Sequence, residues 1–188
     1  AKVKATNPYL LALSGHSKGA LTAIRQISEM QVDVPMLAMT HCDASKLAKQ
    51  HGKKSEYALC AAQWHKTLTY KDDFFGDGMK YDNDFNMEFG YAPPYQAAES
   101  SAALLVWKDA FERANSFDTE KVRDALAKTD MQTFYGNIKF GSGGQNTAKP
   151  MVLFQVRCEG DTCENKVVAP TKWASAELVH PTPKWSER

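Results

Sequence analysis

Residues 15–19, which read GHSKG, place Ser17 within the pattern G-x-S-x-G. In α/β-hydrolases this pattern is the nucleophile elbow, a sharp turn that holds a catalytic serine between a strand and a helix. A serine nucleophile also needs a histidine as its base and an acid that orients the histidine. Asp130 and His180 follow Ser17 in the chain order that these hydrolases use. Ser17 is therefore a candidate nucleophile.

The position of this pattern in the chain argues against a hydrolase. The elbow normally follows several strands of the sheet, and an earlier strand supplies the loop that binds the oxyanion. Only 13 residues precede Ser14, which leaves room for a single strand. A tight turn between a parallel strand and a helix explains the small residues equally well. We therefore expect no enzymatic activity, and keep hydrolysis by Ser17 as the less favoured alternative.

Polar loops follow the first two predicted strands, YLLAL at 9–13 and MLAM at 36–39. Because the carboxyl ends of parallel strands meet at one edge of a sheet, ligands bind where such loops converge. Backbone N–H groups at the start of the following helix would favour an anionic group. The sequence therefore predicts a site for a small polar ligand, formed by His16, Ser17, Thr40, His41 and Asp43.

Two aromatic residues, Trp64 and Tyr95, are further candidates for ligand contact. Trp64 lies where the first α/β stretch ends, and Tyr95 lies at the start of a predicted helix. For both residues, packing at a hinge is an equally good interpretation. Trp107 and Phe111 instead fall at the spacing of helix core residues.

We predict neither a metal nor a cofactor. His16, His41 and Asp43 match no metal-ligand spacing, and the four cysteines lack the C-x-x-C pairs of a structural zinc site. The glycine-rich run GSGGQN at 141–146 lacks the lysine-serine ending of a phosphate-binding loop. A hairpin turn is the better interpretation of that run.

The cysteines predict disulfide bonds instead. Cys158 and Cys163 flank the turn-rich EGDT between two predicted strands, and a bridge there contributes about 2 kcal/mol in the chain-entropy estimate. A second bridge between Cys42 and Cys60 is the weaker prediction, and two buried free thiols are its alternative. A disulfide would indicate an oxidising compartment.

The composition excludes several classes of protein. With 23 basic and 22 acidic residues the net charge is +1, so no strong field attracts nucleic acid or an anionic membrane surface. No apolar run approaches the roughly 20 residues that span a bilayer. We recognise no secretory signal peptide, and expect a chain that is either cytoplasmic or already processed.

Strands and helices alternate in the first third of the chain, which predicts an α/β fold with a parallel sheet. The first strand, 9–13, has a continuous apolar run typical of burial on both faces. The later predicted elements are a helix over 21–30, a strand at 36–39, a short helix at 44–50, a strand at 57–64, a poor helix over 75–89, helices at 96–114 and 119–129, and strands at 136–140 and 151–156.

Six segments between Asn7 and Ala169 resemble, in order and spacing, the C-terminal half of type I periplasmic binding proteins. These proteins are the substrate receptors of ABC importers of the branched-chain amino acid type. The segments are NPYLLALSG, TAIRQISEMQVDVPML, YALCAAQWH, YAPPYQAAESSAALL, DTEKVRDALAKTD and TFYGNIKFGSGGQNTAKPMVLFQV.

The resemblance implies two three-layer α/β/α lobes joined by hinge crossings, with the N-terminal half of the fold missing from this chain. Residues 1–64 would belong to the C-terminal lobe, and residues 65–148 to the N-terminal lobe. Residues 149–188 would return to the C-terminal lobe with the hairpin and the tail. Such a chain is expected to be poorly stable alone, or paired with the missing half.

The resemblance also implies a function, the capture of a small polar solute between two lobes without chemical change. The partner would be the permease of an ABC importer, and the location periplasmic or extracellular. Leucine-type receptors carry a glutamate where this chain has Thr40, and Asp43 is displaced along that loop. Amino acids, amides and organic acids therefore all stay open as ligands. A ligand-sensing receptor domain with the same fold is the alternative.

Overall fold

The structure is a computed structural model that describes residues 2–42, 47 and 50–188. The chain divides into two compact units. Unit 1 combines Ala1–Ala62 with Val152–Arg188, and unit 2 is Gln63–Met151. Unit 1 is therefore discontinuous in sequence, whereas unit 2 is a single stretch. Most of the helix predicted at 44–50 lies outside the described residues.

Unit 1 is built on a five-stranded sheet that combines strands from both of its stretches. The strands are β1 (Leu10–Leu13), β2 (Met36–Thr40), β3 (Leu59–Ala62), β8 (Val152–Glu159) and β9 (Thr162–Ala169). They lie in the order β1-β2-β3-β8-β9. The first three run parallel, while β8 pairs antiparallel with both β3 and β9. The predicted parallel α/β arrangement is thus found in β1 to β3, and an antiparallel hairpin extends it.

The prediction that the first strand is buried on both faces is wrong. β1 is an edge strand, and Leu10 within it is 46% exposed. Along β1 the residues alternate between exposed and half-buried, so one face of the strand is covered less than the other.

Two helices accompany the sheet of unit 1 within its first stretch. A short helix, α1 (Lys2–Thr6), precedes β1, and α2 (Ser17–Glu29) connects β1 to β2. The predicted helical spacing is found in α2, which buries Ala20, Ile24 and Ile27 and contacts β2. Unit 1 also contains 3-10 turns at Gly52–Ser55, Thr171–Trp173 and Trp185–Glu187.

The tail after β9, which belongs to unit 1, forms hydrogen bonds to other residues of that unit. The side chain of Gln155, fully buried in β8, donates to the Val179 carbonyl at 3.1 Å and accepts from the Val179 N–H at 3.0 Å. Further along, the Thr182 hydroxyl donates to the Val34 carbonyl at 2.9 Å. Because an unpaired buried amide is costly, the tail stabilises the sheet beneath it.

Both predicted cysteine pairs are disulfide-bonded. Cys158 and Cys163 face each other in the β8–β9 hairpin with their Cα atoms 4.1 Å apart. Cys42 and Cys60 are also bridged, with a Cα–Cα distance of 5.6 Å, and both are buried. The alternative of two buried free thiols is therefore wrong.

Unit 2 consists of three helices and two small antiparallel sheets. The helices are α3 (Gly78–Phe89), α4 (Tyr95–Ala114) and α5 (Thr119–Ala127). One sheet pairs β4 (Lys71–Asp72) with β5 (Gly76–Asp77), and the other pairs β6 (Asp130–Thr133) with β7 (Gly136–Lys139). The long helix and its successor were predicted within two residues of their observed ends, whereas β6 was not predicted.

Capping residues at both ends explain why α3 forms, although the sequence predicted a poor helix there. The Asp77 carboxylate accepts from the Lys80 N–H at 2.8 Å at the start of α3, and Gly90, with φ of 75°, ends the helix in the left-handed conformation. Asp118 caps α5 in the same way, as predicted. Arg113 of α4 donates to the Ala125 carbonyl at 2.8 Å and so holds the end of α5 against α4.

The run GSGGQN forms a tight turn, as predicted. The Gly141 N–H donates to the Gln145 carbonyl at 2.9 Å, and Phe140 pairs with Asn146 across the turn. The strand before the turn, β7, pairs with β6 and not with the strand that follows. Within the described residues, no helix combines the length and the apolar character needed to cross a membrane.

Candidate functional site

The loops that follow β1 and β2 are joined through one residue, Gly15. The Thr40 hydroxyl accepts from the Gly15 N–H and donates to the Gly15 carbonyl, both at 2.9 Å. The same carbonyl lies 2.8 Å from Nδ1 of His41. Because a carbonyl oxygen can only accept, Nδ1 carries the proton, and Nε2 of a neutral His41 is left as an acceptor.

His16 and Ser17 lie beside this junction at the start of α2. The rings of His16 and His41 are 5.0 Å apart between centroids and inclined by 54°. His16 is exposed and precedes the helix without a side-chain cap. The first N–H groups of a helix have no acceptor within the helix and attract anionic or polar ligands. Histidine nitrogens, a hydroxyl and helix N–H groups are thus available at this edge of unit 1.

The structure brings four of the seven predicted ligand residues together. His16, Ser17, Thr40 and His41 all lie at the carboxyl ends of β1 and β2 in unit 1. Asp43 lies outside the described residues. The remaining two, Trp64 and Tyr95, belong to unit 2.

Trp64 is packed within an aromatic cluster of unit 2. Only 5% of it is exposed, and its ring meets Tyr81 and Phe134 edge-to-face, with centroids 5.8 and 6.1 Å away. Tyr81 in turn stacks on Phe134 at 4.2 Å. Among the described residues, the buried indole N–H of Trp64 has no hydrogen-bond partner. Packing is therefore the observed role of Trp64, and ligand contact stays a prediction.

Tyr95 opens α4 and is half-buried. Burial, followed by the charge of Glu99, raises the pKa of its phenol above the ordinary value. The buried phenol of Tyr135 is shifted in the same direction, again first by burial and then by Glu99 and Tyr95. These three residues therefore form one electrostatic group in unit 2.

The two residues predicted as triad partners of Ser17 have other partners. Nε2 of His180 lies 2.8 Å from the Tyr9 hydroxyl, and Asp130 forms an ion pair with Lys139. Within the part of the chain that the structure describes, no hydrogen bond links Ser17 to a histidine. This arrangement offers no base for the attack of a serine on a carbonyl.

Unit 2 also contains a pocket of about 830 Å³ that the sequence did not predict. Trp107 lines it and is 46% exposed, so the expectation that Trp107 is a core residue is wrong. Lys149 lines the pocket as well, and burial lowers the pKa of its amine to about 8. No spacing or motif in the sequence distinguishes this lysine from the others.

A metal centre is not supported by the side chains that the structure describes. Among the residues with a described position, no three His, Cys, Asp or Glu side chains are grouped so that they could hold an ion. His16 and His41 are near each other, but a third ligand of this kind is missing from the described part of their surroundings.

Comparison with known proteins identifies relatives of about twice this length. A family model described as periplasmic binding protein matches residues 1–162. Among solved structures, the chain is similar to a leucine-binding protein of Thermotoga maritima, with a TM-score of 0.73 and 21% identity over 91% of this chain and 48% of that one.

Two further solved structures show the same pattern. For a putative branched-chain amino acid ABC transporter protein from Silicibacter pomeroyi the TM-score is 0.72 and the identity 14%, over 98% of this chain and 49% of that one. An ABC transporter solute-binding protein from R. palustris, solved with benzoate, gives 0.63 and 13% over 94% and 48%. The chain therefore spans about half the length of the solved chains it matches.

Proposed function

The chain belongs to the periplasmic binding protein family, and on that premise we propose that it is the solute-binding part of an ABC importer. The predicted family and its α/β fold are confirmed by the match over residues 1–162 and by the shared fold of the solved structures. Proteins of this family bind solutes and do not convert them. We propose that this chain holds its solute at the loops after β1 and β2.

The junction at Gly15 is the observation that carries this proposal. Because Thr40 and His41 both bond to Gly15, the two loops are fixed side by side before any ligand arrives. A preorganised site does not lose loop entropy when it binds. His16, Ser17 and Nε2 of His41 are then the groups that would contact the solute, and Thr40 would position them.

We propose a solute that carries a carboxylate. The helix N–H groups at Ser17 favour an anionic group, and the exposed His16 adds a donor. Leucine and benzoate, which the names of two similar structures mention, both contain a carboxylate. Amides and other organic acids are the neighbouring classes. A micromolar dissociation constant requires about −8 kcal/mol, which a few buried hydrogen bonds and one apolar wall can supply.

The partner in this function would be the permease of the importer. The chain itself would lie in the periplasm or outside the cell. The two disulfides support an oxidising compartment. We further propose that the N-terminal half of the same fold complements this chain, because the matched solved chains are about twice as long. The edge strand β1, where Leu10 is exposed, is a surface that this segment could cover. Native mass spectrometry would detect the complementing segment as an added mass.

Calorimetric titration with leucine, benzoate and their amides tests the proposed site. The variant His16→Ala/Ser17→Ala should weaken binding of the preferred carboxylate about tenfold or more, since it removes two contacts from the site. Ser28→Ala, in the last turns of the same helix, is the matched control and should bind as the wild type does. Equal affinity in the wild type and the double variant would contradict the site assignment.

A further inference from the structure

A disulfide bond ties the loop after β2 to the neighbouring strand β3. The strand β2 ends at Thr40, and Cys42, two residues later, is bonded to Cys60 in β3 with their Cα atoms 5.6 Å apart. In the parallel pairing of the two strands, Cys60 lies beside Met39. Because Cys42 is bonded to the neighbour of a residue three positions before it, the chain turns back onto the sheet immediately after β2.

His41 is the residue that makes this turn. Its φ is 53°, in the left-handed region, which is sterically unfavourable for a residue with a Cβ atom. On one side of it Thr40 is hydrogen-bonded to Gly15, and on the other side Cys42 is held covalently. A residue persists in such a conformation only when its surroundings impose it. The two anchored neighbours of His41 therefore impose a conformation that its own backbone disfavours.

The two anchors of this turn differ in kind. On the side of Gly15 the loop is held by hydrogen bonds, including the one that Nδ1 of His41 donates to the Gly15 carbonyl at 2.8 Å. Hydrogen bonds of half-buried residues can be exchanged for bonds to water. The bridge is covalent and lies in the core, where Cys42 is 2% and Cys60 0% exposed. The disulfide is therefore the permanent anchor of the loop.

We infer that Cys42 and Cys60 are positioning residues of the solute site proposed above, an inference that rests on that proposed function. Their bridge holds His41 in the left-handed turn in which Nδ1 meets the Gly15 carbonyl. Without the bridge, the backbone of His41 relaxes to an ordinary conformation and the bond to Gly15 is lost. A solute then has to order the loop as it binds, which weakens its affinity. The bridge therefore contributes to affinity in addition to its contribution to stability.

The tautomer of His41 tests this role in the chain without any solute. At about pH 8, where an ordinary histidine is neutral, nitrogen NMR should show wild-type His41 with its proton on Nδ1, because the Gly15 carbonyl accepts that proton. A solvated neutral imidazole prefers the proton on Nε2, so Cys42→Ala/Cys60→Ala should shift His41 towards that form. His41→Gln identifies its signals among those of the five histidines.

Calorimetric titration with leucine and with benzoate measures the effect on affinity. Cys42→Ala/Cys60→Ala should bind the preferred probe about fivefold or more weakly than the wild type does, since its loop is no longer preorganised. Cys42→Ala/Cys60→Val refills part of the space left by the sulfur atoms, and replaces the first variant where that one is too unstable to titrate. Cys158→Ala/Cys163→Ala lacks the hairpin bridge instead, and as the matched control it should keep the affinity and the tautomer of the wild type.

A bridge that only stabilises the core gives a different result. Its removal would lower the free energy of unfolding but leave the tautomer of His41 and the affinity unchanged, and this outcome would overturn the inference. A wild-type His41 with its proton on Nε2 would overturn it as well, whether or not the variants fold. Binding of neither probe by the wild type would count against the proposed function alone. A shift of the tautomer in the bridge variant would then still support the positioning of His41.

Discussion

The hydroxyl of Thr40 and the backbone of Gly15 exchange two hydrogen bonds, each 2.9 Å long, between positions 25 residues apart. Thr40→Val keeps the shape of the side chain but removes both bonds, and leaves the Gly15 N–H without its acceptor. We expect the free energy of unfolding to fall by about 1–2 kcal/mol, measured by urea titration. Thr40→Ser restores the hydroxyl and should recover most of the loss. Equal stability of the valine and serine variants would mean that the hydrogen bonds between Thr40 and Gly15 do not stabilise the fold.

The two disulfides should contribute unequally to stability. Their cysteines are 18 and 5 residues apart, and the chain-entropy estimate gives about 3 kcal/mol for the longer loop and about 2 kcal/mol for the shorter. Cys42→Ala/Cys60→Ala also leaves a cavity in the core, because both cysteines are buried. We therefore expect this variant to lose more stability in urea than Cys158→Ala/Cys163→Ala. The reverse order would show that the hairpin bridge dominates.

Gly136 should tolerate no side chain. Its φ is 149°, and a Cβ there would collide with the stem of Lys149. Gly136→Ala is expected to cost about 1–3 kcal/mol of stability from strain and displacement together. Gly144 has φ of 80° but open space around it, so Gly144→Ala isolates the backbone effect and should cost less. Thermal unfolding of both variants shows which one loses more stability. An equal loss would mean that the Lys149 side chain moves aside from the new methyl group at little cost.

The buried amine of Lys149 should make stability depend on pH. Its pKa falls from 10.5 to about 8 on folding, so between these values the unfolded chain binds the proton more tightly than the folded chain does. The free energy of unfolding should therefore rise as the pH increases from about 8 towards 10. Above pH 10 the raised pKa of Tyr135 acts in the opposite direction, because the unfolded phenol ionises first.

Urea titrations of the wild type and Lys149→Met across this pH range isolate the contribution of the lysine. The stability of the wild type relative to the variant should increase from pH 8 to pH 10, because Glu99, Tyr95 and Tyr135 are present in both proteins. A difference that stays constant across the range would mean that the amine is not desolvated in the folded chain.

Local patterns predicted most helices and strands of this protein. The apolar runs before Gly15 and His41 indicated adjacent parallel strands, and Asp118 indicated the start of a helix. The strand β6 was missed because its residues, DMQT, show no clear alternation. The exposure of Leu10 could not be predicted, since a continuous apolar run does not reveal whether both faces of a strand are covered.

The sequence predicted only the part of the candidate site that follows from the arrangement of neighbouring parallel strands. Parallel neighbours must bring their carboxyl ends together, and this rule alone placed His16 and Ser17 near Thr40 and His41. The pocket around Lys149 depends on the packing of α4 against the turn after β6, and such contacts have no periodic signal in the sequence. The position of Gly136 under the lysine stem is likewise visible only in three dimensions.

The discontinuity of unit 1 has a consequence for synthesis on the ribosome. Strands β1 to β3 emerge early, but β8, which completes their sheet, and the tail, which satisfies the amide of Gln155, are translated only after the whole of unit 2. Unit 2, a single stretch, can fold as it leaves the exit tunnel. Strands β1 to β3 must therefore wait for β8 before this sheet is complete, and during that interval they are natural clients for a chaperone.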